Sequence, residues 1–156
     1  MRVDVLFSPP QLTTAQLTGR VVAVIDVLRT STTIAAALAN GARQVVPLAE
    51  AEEVMRRAKA FERSEVLLAG ERKMRPIPGF DVGGSPAEFS PTSVEGKTVL
   101  LTTTNGTQAL LALQGAREVI VLVTPSMMKL SRAICIRRIA SCRVRPWQMS
   151  LARSES

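Results

Sequence analysis

The sequence predicts an α/β protein: a mixed or parallel sheet with flanking helices, built from two similar strand–turn–helix–strand units. Three observations point there. Short Val/Leu/Ile runs alternate with Ala-rich or amphipathic stretches of helical period. Two of these runs end in Ser/Thr-rich turns of the kind that open helices. The chain also matches itself at an offset of 74 residues, where Thr33 to Leu48 lies over Thr107 to Leu122 with seven of sixteen positions identical.

The elements come in order along the chain. Val21 to Leu28 is an apolar run broken only by Asp26, which reads as a buried strand with a carboxylate near its C-terminal end. Thr30, Ser31, Thr32 and Thr33 supply N-cap candidates for a small-residue helix over Ile34 to Ala39, and Asn40-Gly41 stops it. Val45 to Leu48 is a second strand, placed at an edge or ending there because Pro47 lacks an N–H. Glu50 to Phe61 is a helix with Ala51, Val54, Ala58 and Phe61 on one stripe. Its acidic start and basic end match the helix dipole. Strands at Val66 to Ala69, Thr98 to Thr102 and Val119 to Val123 complete the set, with a helix over about Thr107 to Gln114. Gly70 to Gly96, rich in Gly and Pro, reads as a long functional loop.

Composition narrows the chemistry. At 156 residues the chain suits one domain or part of a larger one, with a core of Val, Leu, Ile and Ala, since it has no Tyr and only four Phe. It has no His, which excludes Ser–His and Cys–His nucleophile pairs and His-based zinc sites. Acid–base work falls to Asp, Glu, Lys, Arg or metal-bound water. Met1 to Phe7 lacks the basic-then-apolar pattern of a secretion signal, and no run reaches the ~20 apolar residues of a membrane span. Two cysteines suggest no disulfide framework, so the expected location is the cytoplasm. The net charge of +7 is unevenly placed: residues 1–123 carry 13 basic and 12 acidic side chains, while residues 124–156 carry 7 basic ones and Glu155. Basicity therefore describes the tail.

Three segments could carry chemistry. In Asp26-Val-Leu-Arg-Thr-Ser-Thr-Thr33, a strand ends in a carboxylate, then a guanidinium, then hydroxyls and N–H groups at a helix start. Such a start suits an anion, held by Arg29, Ser31 and Thr32, and Asp26 can take Mg²⁺. In Gly70 to Pro86, Glu71 and Asp81 are candidate metal ligands or bases. Arg72, with Lys73 and Arg75, suits an anionic substrate, and Gly83, Gly84 and Ser85 allow close backbone approach. In Leu101 to Thr107, the row Thr103, Thr104, Asn105, Gly106 is a second plausible phosphate cradle. Each could also be a cap or a charged surface loop; their shared place after strands is what joins them into one candidate site.

These segments, in this order, resemble the motifs of the 2-phosphosulfolactate phosphatase family: Val24 to Thr33, Gly70-Glu-Arg72, Ile77 to Pro86, and Lys97 through Gly106. The resemblance covers about four-fifths of the chain, to Val123. It implies Mg²⁺-dependent hydrolysis of 2-phospho-3-sulfolactate to 3-sulfolactate and phosphate, in methanogens a step toward coenzyme M. On that basis Asp26, Asp81 and Glu71 position Mg²⁺. Arg29 and Arg72 clamp the anions, and Thr103, Thr104 and Asn105 orient the phosphate. Asp26 as a covalent nucleophile is an open alternative. Gln108 stands where the family pattern has Arg, and Gly84 where it more often has Asn.

Beyond Val123 the resemblance is expected to stop, leaving 124–156 as a basic tail that is either foreign sequence from a frame change or a genuine short variant. The expected partner is a small anionic phosphorylated substrate, with no membrane and with room for a homo-oligomer. An inactive truncated relative is the alternative, and nucleic-acid binding through the tail is a third reading that no docking motif favours.

Overall fold

The computed structural model describes residues 3–7 and 12–123 in full and the backbone of 134–136. After a short helix, α1 (Thr14–Leu17), come β1 (Val21–Ile25), α2 (Thr30–Ala39), β2 (Gln44–Pro47) and α3 (Ala51–Ala58). The chain continues through β3 (Val66–Arg72), β4 (Arg75–Pro76), α4 (Pro91–Val94), β5 (Thr98–Thr102), α5 (Gly106–Ala112), β6 (Glu118–Leu122) and β7 (Ile134–Ile136). Single 3₁₀ turns lie at Arg63–Glu65 and Pro86–Glu88. No helix among the described residues is long and apolar enough to cross a membrane.

The strands form two sheets, ordered β2-β5-β3-β4 and β1-β6-β7. β5 runs parallel to β2 and β3, and β1 runs parallel to β6; β4 and β7 are antiparallel additions. The α/β class with a mixed sheet and flanking helices is therefore present. β1 pairs with β6 and β2 with β5, so strands distant in sequence lie side by side. β2 lies at an edge with Pro47 as its last residue, where the missing N–H disturbs no further ladder bond.

β5 holds the larger sheet together. All five of its residues are buried, so both of its faces need apolar cover. On one face Val99 and Leu101 join Val45, Leu67 and Ala69 under Ile34, Ala35 and Leu38 of α2 and Leu110 of α5. This cluster also takes Val119 and Val121 of β6, so the two sheets share one core. On the other face Leu100 meets Val46, Leu48, Val66 and Leu68, closed by Val54 of α3 with Ala58 and Phe61.

Local chemistry explains the boundaries. α2 ends where Gly41, at φ +94°, lets its own N–H reach the Leu38 carbonyl and the Ala42 N–H reach Ala37, the paired bonds of a Schellman stop. In α3 the first turn holds Glu52 and Glu53 and the last Arg56 and Arg57, as the dipole favours. The stretch expected to be one long loop is more ordered than its composition suggests. β3 continues to Arg72 because Gly70 still pairs with Thr102 and because Glu71 and Arg72 pair back onto Pro76 and Arg75. Lys73 and Met74 make the connecting two-residue turn, both at positive φ, as the primed hairpin turns require.

Two close approaches need glycine. A Cβ on Gly70 would meet the Thr102 carbonyl oxygen at 2.2 Å, and one on Gly106 would meet Thr30 Oγ1 at 2.1 Å. The second contact joins the start of α5 to the start of α2. Gly106→Ala is expected to lower stability by about 1–3 kcal/mol through overpacking. Gly79→Ala, with nothing within 4 Å of a Cβ, carries only the cost of its positive φ. Urea unfolding of both variants checks the difference.

Candidate active site

The carboxyl ends of β3 and β5 lie side by side in the parallel ladder, where Gly70 pairs with Thr102. The end of β1 joins them through the helix starts. Thr30 packs on Gly106, and the Thr30 hydroxyl lies 3.3 Å from that of Thr103. Parallel α/β sheets place ligands at this end. The turn after β1 (26–29, with a cis Leu28–Arg29 peptide), the turn after β5 (103–105) and the β3–β4 hairpin thus border one region.

Glu71 ties the region together. Its Oε1 accepts the Thr104 N–H at 2.7 Å, and its Oε2 accepts the Met74 N–H at 2.7 Å and the Thr104 hydroxyl at 3.0 Å. The residue is 9% exposed. Burial is the strongest single influence on its carboxyl and pushes the pKa up. The Thr104 and Met74 N–H groups, the Thr104 hydroxyl and the nearby Arg29 charge together outweigh it and leave the pKa below the ordinary glutamate value. Gly84 sits against this group: a Cβ there would lie 3.1 Å from Glu71 Cγ and 3.9 Å from Arg29 Nη2. The space that a larger side chain would fill is therefore taken by Glu71 and Arg29.

A phosphate oxygen only accepts, so a hydroxyl serves it only if its proton is free. Most hydroxyl protons here are engaged. Thr32 donates to the Val27 carbonyl, Thr33 to that of Gly84, Thr102 to that of Ala49, Thr104 to Glu71, and Thr107 to the Thr103 carbonyl. Thr103 Oγ1 accepts the Thr107 N–H, and the Thr103 N–H returns to Thr107 Oγ1, so this pair locks the start of α5. Ser31 differs. Its Oγ accepts the Asp26 N–H at 3.2 Å, which leaves its proton to give. Of the mutual pair Thr30 and Thr103, one hydroxyl also keeps a proton.

The charged candidates divide in the same way. Arg72 Nη2 donates to the Ala49 carbonyl at 2.8 Å and the Thr102 hydroxyl at 2.9 Å and lies 3.4 Å from Glu50, while Nη1 reaches the Glu71 carbonyl. It knits the start of α3 to β5. Asp81 is ion-paired with Arg63 and accepts the Leu68 N–H at 2.8 Å, which holds it against the middle of β3 and not at its carboxyl end. Asp26 and Arg29 are different: neither the carboxylate nor the guanidinium has a hydrogen bond or ion pair among the described residues. Asn105 caps α5 without a side-chain cap bond and is exposed.

The three carboxylates read as metal ligands therefore do not form one cluster, and no group of three His, Cys, Asp or Glu that could hold a metal occurs among the described residues. Glu71 faces N–H and O–H donors, and Asp81 faces a guanidinium. Of the three, only the Asp26 carboxylate makes no hydrogen bond or ion pair among the described residues. Ser85 is a cap: its N–H donates to Glu88 Oε2 at 2.9 Å, while the Gly83 N–H takes Oε1 at 3.0 Å. Sequence reasoning passed over Glu88, although Ser85 followed three residues later by Glu is a recognisable capping box. Thr30 reads in the sequence only as an N-cap candidate, and its contact with Gly106 carries no local signal.

The lowered Glu71 pKa has a direction in pH. Its network contributes stability that is complete above the ordinary value of about 4.3 and is lost as pH falls through the folded-state value. Glu71→Gln, which sets an NH₂ against N–H donors, is expected to be less stable near neutral pH and to show a flatter loss of stability below about pH 4. Urea midpoints measured across that range check it.

A family model described as 2-phosphosulpholactate phosphatase matches residues 6–131, eight residues further than the motifs alone suggest. Among curated relatives, the chain is 50% identical over 99 residues to a protein of Caldanaerobacter subterraneus subsp. tengcongensis, covering 64% of this chain and 41% of that protein. It is 44% identical over 123 residues to one of Clostridium perfringens, covering 78% and 50%. It is 49% identical over 104 residues to one of Symbiobacterium thermophilum, covering 67% and 45%. All three are named probable 2-phosphosulfolactate phosphatase, and the chain spans about half the length of the curated relatives it matches. With the family model matched over most of its residues, the chain belongs to the 2-phosphosulfolactate phosphatase family.

Proposed function

We propose that this protein hydrolyses the phosphate ester of 2-phospho-3-sulfolactate, giving 3-sulfolactate and phosphate. The observation that carries the reading is Asp26 and Arg29 in the turn after β1, whose charged groups make no hydrogen bond or ion pair among the described residues, at the start of a ten-residue helix. Both are partly buried and neither is tied down by a hydrogen bond, which leaves them available to a ligand. The names of the relatives supply the substrate.

In this reading Arg29 grips two phosphate oxygens through parallel N–H groups, and the positive end of α2 adds to the attraction. Ser31 offers the hydroxyl proton that its neighbours have already given away. Asp26 would hold Mg²⁺, an ion commonly bound by only one or two carboxylates, with substrate oxygens completing its shell. When bound it would supply charge neutralisation at the phosphoryl group and a more acidic water. Glu71 stays ionised and keeps the turn at Thr104 and the hairpin in place around Arg29. Arg72 and Asp81 act in the frame.

The test is phosphate release from 2-phosphosulfolactate by the purified chain. Turnover that EDTA abolishes and Mg²⁺ restores is the expected result. Asp26→Ala should remove hydrolysis with the fold intact, and Arg29→Ala should reduce kcat/KM by about 10²–10³-fold, the usual effect of deleting one charge-stabilising donor. Arg72→Ala should show itself first as lost stability. No turnover from a folded chain would overturn the reading in favour of an inactive relative.

A further inference from the structure

The β3–β4 hairpin is built from residues that do not suit its shape. Its two-residue turn consists of Lys73 at φ +51° and Met74 at φ +65°. Asn-Gly or Asp-Gly takes up such a turn at ease, whereas residues with long side chains seldom enter this backbone region. Strain of this kind persists where the surroundings enforce it, and it gathers at functional segments. The turn is also crowded with charge, since Arg72, Lys73 and Arg75 fall within four residues. Arg72 and Arg75 stand directly opposite each other on the ribbon, where like charges repel. Arg72 reaches Glu50, but the Lys73 and Arg75 side chains make no ion pair or hydrogen bond among the described residues. A turn kept for the fold alone gains nothing from this composition.

The two unpaired cations have different surroundings. Arg75 shares a face of the ribbon with Arg72, and that face meets Ala49 and Thr102. Lys73 is tied to the other side. Its N–H donates to Thr104 Oγ1 at 3.0 Å, and Thr104 is bound in turn to the Glu71 carboxylate. Glu71 and Arg29 both border Gly84, at 3.1 Å and 3.9 Å from a Cβ placed there. Lys73, Thr104, Glu71 and Arg29 are thus successive neighbours along the edge of the candidate site.

We propose that Lys73 determines specificity by holding the sulfonate of the substrate while Arg29 holds the phosphate; the identity of that substrate rests on the hydrolytic reading above. In 2-phospho-3-sulfolactate the two groups sit on adjacent carbons, so one site has to offer two separate cations. The division suits their chemistry. A planar guanidinium fork matches two phosphate oxygens. A sulfonate is a permanent monoanion with its charge spread over three oxygens, and an ammonium on a flexible stem meets it as a point charge.

The experiment compares 2-phosphosulfolactate with 2-phospholactate, which lacks the sulfonate, in the whole 156-residue chain and its Lys73→Asn variant. Asn removes the charge and tolerates the left-handed backbone, so the melting temperature of the variant should match or exceed that of the parent. For the sulfonated ester kcat/KM is expected to fall about tenfold or more, the worth of one hydrogen bond to a charged group, and for 2-phospholactate by less than about twofold. Lys73→Arg should recover most of the loss. Lys59→Ala, which removes a charge at the far end of α3, should change neither rate. Equal losses on the two esters, or no loss, overturn the proposal and leave hydrolysis standing. If the parent chain hydrolyses neither ester, calorimetry with 3-sulfolactate decides. Binding that Lys73→Asn weakens about tenfold then supports the sulfonate site while the hydrolytic reading fails. No binding by the parent, or binding indifferent to Lys73→Asn, overturns the proposal.

Discussion

A buried carboxylate has to be surrounded by donors, and Glu71 takes its three from two segments that belong to different parts of the chain. The Met74 N–H comes from the hairpin after β3, and the Thr104 N–H and hydroxyl come from the turn after β5. The Thr104 hydroxyl also accepts the Lys73 N–H at 3.0 Å, closing the loop of bonds between the two. The position of the turn after β5 then governs Thr103, Thr107 and the start of α5, and through Gly106 the approach of Thr30 and α2. Arg29 stands where these contacts leave room for it. The geometry of the candidate site is thus a consequence of how one ionised side chain is satisfied.

Hydrogen-bond satisfaction also divides a cluster of plausible site residues into frame and function. Hydroxyls and charges are abundant at the strand ends, but most are matched internally, which is what low-dielectric surroundings demand. An engaged arginine such as Arg72 stabilises the join between α3 and β5 and has its strongest directions occupied. Asp26 and Arg29 keep theirs. Chemical potential lies in the groups that the fold leaves unsatisfied.

Much of this was readable in the residues and part was not. The strands of Val and Leu, the Glu-to-Arg gradient of α3 and the stop at Asn40-Gly41 are local signals, and the elements obey them. Three polar segments also stood out as a candidate site, because each follows an apolar run. The sorting within it did not. Asp81 and Glu71 look equally suited to a metal in sequence. Which one meets Arg63 and the Leu68 N–H, and which meets Thr104, depends on contacts between residues 13 to 33 positions apart. A hydroxyl's residue type says nothing about where its proton points. The hairpin within residues 70–96 was hidden because its bonds join residues with no periodic pattern, whereas the Ser85–Glu88 box is a local signal.

The pairing of β1 with β6 joins Val21 to Glu118, nearly a hundred positions later in the chain. A strand whose residues are all apolar therefore leaves the ribosome long before its neighbour exists. At roughly 5–20 residues per second, the interval is on the order of 5–20 s. During that time β1 carries a bare hydrogen-bonding edge and two apolar faces, the features that recruit other chains. Nothing in its own five residues guards against this, since none is charged and none is proline. The burden of keeping the young chain from aggregating thus falls outside β1, on the speed of synthesis and on whatever holds nascent polypeptides in the cell.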